Sequence, residues 1–203
     1  MRRAWLICLP LVLVLAAWSV VSAQAEFYVI PVKEKNNIGG LPARVPKTGQ
    51  TTSYGPRDDG ALQMGAIWPK PRFTDNNNGS VTDNLTGLIW MKNANAFGFK
   101  GWYQALDIAN NLKSGDAGIT DGSRAGDWRL PNVRELQSLV DYGRYNLALP
   151  AGHPFTNTDR GYWTSTTKPT NFADALGVDF FYGEVYSCSK YFIGHVWCVR
   201  GGP

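Results

Sequence analysis

The polar and apolar positions divide the chain into three stretches of different character. An unbroken apolar run from Ala4 to Val21 follows Arg2 and Arg3 and ends at Ala23-Gln24-Ala25. A basic start, an apolar middle and a small-x-small end predict a secretory signal peptide over residues 1–25. Pro10 and the short run make an uncleaved anchor the poorer reading. Residues 26–70 sustain no period of 2 or 3.6 and hold 5 Pro and 6 Gly, so they read as an extended arm or linker. Only Phe27–Val32 looks strand-like there, and Pro31 confines it to an edge or a docking segment.

From residue 71 the periodic signals are dense. Arg72-Phe73-Thr74 and Val81-Thr82-Asp83 flank a polar turn, predicting a hairpin with a type I′ turn at Asn78-Gly79. Thr86–Lys92 reads as an apolar strand. Trp102, Ala105, Leu106, Ala109 and Leu112 then follow helical spacing, with a stop at Lys113-Ser114-Gly115. Asn132, with Glu135 three residues on, forms a capping box for a second helix that sets Val133, Leu136, Leu139 and Val140 inward and ends at Gly143. Tyr162–Thr167, Ala175–Phe181, Val185–Cys188 and Ile193–Arg200 are short runs rich in β-branched and aromatic residues. The expected architecture over 71–203 is α+β, with two short helices packed on small antiparallel sheets and an extended N-terminal arm.

Composition agrees with a globular chain: of 203 residues 44% are hydrophobic and 13% aromatic, which excludes a mainly disordered, collagen-like or coiled-coil protein. Charge is balanced where the fold is expected. Losing Arg2 and Arg3 with the leader leaves 18 basic against 16 acidic residues, and residues 71–203 carry 12 of each. No basic stripe remains, so a nucleic-acid partner is not expected, and no later stretch is apolar enough to span a membrane. Cys8 leaves with the leader, and an exported pair, Cys188 and Cys198, predicts a disulfide closing an 11-residue loop.

Catalytic signals are sparse. His153 and His195 fall in no metal-ligand spacing and beside no nucleophile motif, and His195 reads as a surface or hydrogen-bonding residue. Asp58, Asp59 and Asp141 read as loop and helix-end charges rather than paired acids. The chain therefore reads as a non-enzyme without a cofactor. One metal alternative stands beside the plain turn at 75–83, where Asp75, Asn77, Asn78 and Asp83 could supply oxygens to calcium. An EF-hand register fails, because it puts Thr74 first and Leu85 twelfth.

Four blocks in order carry a resemblance: Asp75–Met91 (DNNNGSVTDNLTGLIWM), Gly126–Tyr142 (GDWRLPNVRELQSLVDY), Tyr162–Thr166 (YWTST) and Val196–Gly202 (VWCVRGG). Over 71–203 the chain resembles the Lcl C-terminal domain family, named after the C-terminal domain of a bacterial collagen-like adhesin. The resemblance implies a secreted bacterial protein with a fold similar to C-type lectins and to the formylglycine-generating enzyme, and it brings an association with sulfated glycans. Two departures limit it. The Glu-Pro-Asn, Gln-Pro-Asp and Trp-Asn-Asp motifs of calcium-dependent sugar binding are absent, and Tyr182-Gly183 stands where the family turns with Asp-Gly. The copper-binding cysteine chemistry of the enzyme relatives does not carry over to Cys188 and Cys198.

Aromatic residues crowd the end of the chain. Tyr182, Tyr186, Tyr191 and Phe192, with Lys190 and the weaker additions Arg160 and Lys168, are the candidate glycan contacts, rings for sugar faces and cations for sulfate or carboxylate groups. The alternative for each is ordinary core packing. An exported adhesion module that binds extracellular glycan leads over an envelope subunit with a protein partner and over an enzyme on the same fold.

Overall fold

The computed structural model describes residues 45–201; the leader and Phe27–Val32 lie outside the described residues. Residues 45–70 are not a free linker. Pro46 bridges Ala66, the Trp68 indole donates to the Lys47 carbonyl, and the Tyr142 N–H donates to the Thr48 carbonyl at 2.8 Å. A one-turn helix, α1 (Asp59–Leu62), forms here because the Asp58 side chain accepts from the Ala61 N–H. Residues 45–201 form one unit, so the folded domain reaches back beyond the boundary expected at 71.

Two five-stranded sheets hold the rest. The first contains β1 (Phe73–Asp75), β2 (Ser80–Asp83), β3 (Ile89–Met91), β5 (Trp128–Arg129) and β10 (Val199–Arg200), in the order β1-β2-β3-β10-β5 with antiparallel pairs throughout. The second contains β4 (Phe99–Gly101), β6 (Gly161–Thr167), β7 (Asp174–Asp179), β8 (Glu184–Ser189) and β9 (Ile193–His195), in the order β4-β9-β6-β7-β8. Its one parallel contact joins Tyr162 to His195. Helices α2 (Trp102–Asn111) and α3 (Val133–Gln137) complete an α+β domain.

The β1–β2 hairpin forms as expected, but through a four-residue connection rather than a two-residue type I′ turn. Positive φ falls on Asn77 (56°) and Gly79 (81°), not on Asn78. The reason is side-chain capping: Asp75 Oδ1 accepts from the Asn77 N–H, and Asn78 Oδ1 accepts from the Ser80 N–H and hydroxyl. At the β7–β8 turn only Gly183 takes positive φ, which spares Tyr182 the strain.

Helix α2 buries Trp102, Ala105 and Ala109, and stops at Asn111 because Leu112 is extended. Helix α3 carries the expected cap, with Asn132 Oδ1 accepting from the N–H groups of Arg134 and Glu135 and the Glu135 carboxylate accepting from the Asn132 N–H. It ends at Gln137, well before Gly143, yet Leu136, Leu139 and Val140 are buried as the spacing required.

The expected strand 193–200 is in fact two strands on different sheets. Val196, Trp197 and Cys198 cross between them, all fully buried. Trp197 is the hub: its ring meets Trp90 at 5.7 Å, Phe155 at 4.9 Å, Tyr162 at 5.2 Å and Phe180 at 5.7 Å, and its N–H donates to the Met91 carbonyl. This crossing also corrects the disulfide. Cys188 and Cys198 are both free thiols, Cys188 paired with Ala175 on the second sheet and Cys198 buried beside the first. Although close in sequence they lie on different layers, and burial pushes the Cys198 thiol up to about 12.

Candidate functional site

Strand β8 divides the candidate residues between its two ends. It has six residues, so with five rises of about 3.3 Å its ends stand about 17 Å apart. Tyr182 occupies the β7–β8 turn at one end. Its neighbour Phe181 lies under the Arg160 guanidinium at 4.1 Å, and a small hollow of about 160 Å³ opens there beside Asp159 and Asn146. Lys190, Tyr191 and Phe192 occupy the β8–β9 turn at the other end. The structure thus separates Tyr182 and Arg160 from the remaining candidates.

Tyr186 belongs to the fold. Its ring lies across β6 and β7 where neither strand has a side chain: a Cβ on Gly161 would come 2.8 Å from the Tyr186 hydroxyl, and one on Gly177 would come 2.5 Å from its ring. Burial pushes the phenol up to about 12.

The cations are also committed. Lys190 is 8% exposed; its ammonium donates to Thr167 Oγ1 at 2.9 Å and sits 4.0 Å from the Trp102 ring centroid and 6.0 Å from that of Tyr103. Lys168 donates to Ser187 Oγ at 3.2 Å and lies 3.7 Å from the Asp174 carboxylate. The rings beside them are open. Tyr191 is 88% exposed and Phe192 is also exposed, in a turn closed by the Phe192 N–H donating to the Ser189 carbonyl.

Three neighbours that the sequence reading missed enlarge this surface. The Lys190 N–H donates to the Ala173 carbonyl, which ties the β8–β9 turn to the β6–β7 loop and to Phe172, 80% exposed. Tyr103, 64% exposed, lies in the first turn of α2 and lines a hollow of about 450 Å³ with Lys100, Gln104, Asp107 and Ile108. Phe99 pairs across β4–β9 with His195 and stays exposed. A signal for Tyr103 existed, because it falls off the apolar stripe of α2 and so puts a large ring on the helix's polar side. Phe172 left none beyond its position in a polar loop.

His195 sits beneath this surface as a hydrogen-bonded core residue. Nδ1 meets Asn95 Oδ1 at 3.0 Å, Nε2 lies 3.3 Å from the Asp159 carboxylate, and Phe99 covers the ring at 4.1 Å. Desolvation holds its pKa below 6.5 against the opposing pull of Asp159.

The four calcium candidates serve the hairpin instead. Asp83 is buried against Arg72, with Nε–Oδ1 at 2.8 Å and Nη2–Oδ2 at 3.1 Å, and it also accepts from Thr86. Asp75 pairs with the Lys92 ammonium at 2.7 Å, which with the Asn77 N–H holds its carboxyl below the usual range. Asn77 and Asn78 make the turn described above. Among the described residues no group of three or more His, Cys, Asp or Glu is disposed to hold a metal, and no helix is long and apolar enough to cross a membrane.

The Lcl C-terminal domain model matches residues 79–200, which takes in both sheets from the second half of the first hairpin to β10. No curated protein matches the chain. With more than half its length covered by that match, the chain belongs to the Lcl C-terminal domain family.

Proposed function

We propose that this chain is an exported, adhesin-related binding module with a C-type-lectin-like arrangement, and that it takes glycan on the face formed by Tyr103, Phe172, Tyr191 and Phe192. The supporting observation is the exposure of these four rings on segments tied to one another. Water gains from covering such rings, and sugar C–H faces are flat, weakly polar surfaces that stack on them. The loops are held by the Lys190 contacts, which lowers the cost of ordering them on binding.

An envelope subunit would use the same rings against protein. An enzyme would need an unengaged nucleophile or base beside a hollow, and His195 does not offer one, because both its ring nitrogens already have partners. Calcium has no part in this reading, since the carboxylates of Asp75 and Asp83 are held by Lys92 and Arg72.

A glycan array probed with the purified chain tests the proposal. Binding should persist in chelator. Tyr191→Ala should weaken it about tenfold, the equivalent of about 1.4 kcal/mol, with Tm unchanged because that side chain is exposed. Unaltered binding by Tyr191→Ala, or loss in chelator, would place the site elsewhere.

A further inference from the structure

We infer that the aromatic face selects uncharged polysaccharide and discriminates against the sulfated class. This inference rests on the carbohydrate reading above and specifies its ligand. Sulfate recognition requires cations that can reach the anion and trade their hydration for charge-assisted hydrogen bonds. Two of the three lysines near this face are occupied: Lys190 is buried between Thr167 and Trp102, and Lys168 is shared between Asp174 and Ser187. Drawing Lys190 outward would break its bond to Thr167 and uncover the Trp102 ring, which is itself buried.

The hollow beside the rings is balanced in charge. Lys100 brings one positive charge, and Asp107 returns one negative charge from the same rim. Tyr103 and Asp107 stand four residues apart on α2 and so share a helix face. A ring with a carboxylate next to it suits a sugar that offers hydroxyl donors; the same carboxylate repels a sulfate. Asp107 Oδ1 accepts from the Asn111 amide at 2.9 Å, which orients the carboxylate and leaves Oδ2 for a ligand hydroxyl. Gln104 contributes in the same sense, since its Oε1 accepts from the Gly101 N–H and its amide N–H₂ remains a donor. Donors and acceptors are thus interleaved around a ring, the pattern of a polyol rather than of a polyanion.

The test presents each polysaccharide in unsubstituted and sulfated form, dextran with dextran sulfate and galactan with carrageenan, to the full chain at about 0.1 M and about 1 M salt, between which the screening length falls from about 10 Å to about 3 Å. Unsubstituted forms should bind, with affinity changing less than about twofold between the two salts. Asp107→Lys, at an exposed position, should bring in the sulfated forms at low salt while the chain keeps its Tm. Binding of sulfated forms alone, lost by more than about tenfold at high salt, overturns this inference and leaves the carbohydrate reading standing. Binding of neither form overturns both.

Discussion

Arg72 and Asp83 lie on either side of the first hairpin, and each removes the other's cost of burial. The Asp83 side chain is wholly buried and that of Arg72 nearly so; two parallel contacts join them, and Arg72 Nη2 also reaches the Ser138 carbonyl at 2.9 Å, tying the hairpin to the end of α3. Losing one partner strands the other's charge away from water. Arg72→Met should therefore cost about 3–5 kcal/mol, whereas the paired change Arg72→Met with Asp83→Leu should cost much less. Urea unfolding of the two variants distinguishes these outcomes; equal losses would mean that the pair's geometry, rather than the stranded charge, matters. Sequence alone could not supply this pairing. Asp83 in a run of Asp and Asn reads as a surface oxygen donor, and only the fold reveals that an arginine 11 residues earlier turns inward to meet it.

The elements differ in how plainly the sequence announced them. The Asn132 cap and its Glu135 partner were legible because a capping box is local chemistry, and Asn132→Ala should cost about 1 kcal/mol in thermal unfolding for the same reason. The division of 193–200 into β9 and β10 was harder to read, although His195 to Val199 are five consecutive buried residues and a strand with one wet face cannot produce that pattern. That run marks a segment passing between two layers, and with it went the disulfide expectation. The β6–β7–β8 region shows a second hidden dependence, since Gly177 and Gly161 leave the trough that Tyr186 fills. Gly177→Ala would set a Cβ 2.5 Å from the Tyr186 ring and 2.8 Å from the Tyr162 carbonyl. A loss of about 1–3 kcal/mol is expected. Adding Tyr186→Ala should not restore stability, because the backbone clash remains and the trough is then empty; full recovery in calorimetry would refute this account of the ring. The candidate site was legible in the same partial way. Tyr191 and Phe192 were recognisable as aromatics in a turn, but the burial of Lys190 and the approach of Tyr103 and Phe172 depend on contacts between loops far apart in sequence.

At the scale of the whole molecule, these buried groups give stability a pH dependence whose direction follows from their surroundings. His195 and His153 both titrate below 6.5 in the folded chain, chiefly because burial penalises their charged forms. The unfolded chain then binds protons that the folded chain refuses, so stability is complete above 6.5 and falls as pH drops through that value. Asp141 acts in the opposite sense: desolvation raises its pKa above 3.8, the folded chain takes up the proton first, and part of the histidine loss is offset as pH falls toward that value. Below 3.8 the balance turns again, because Asp58 and Asp75, held low by backbone N–H groups and by Lys92, lose contacts that only the charged carboxylates make. Tm measured against pH should thus be flat between about pH 7 and about pH 8, decline gently below about pH 7 to about pH 4 and then fall steeply on the acid side. His153→Gln should flatten the upper decline and leave the lower one in place. The same value of Tm at about pH 7 and about pH 5 in the unsubstituted chain would contradict buried neutral histidines, and with them the sealed contact of His195 beneath the aromatic face.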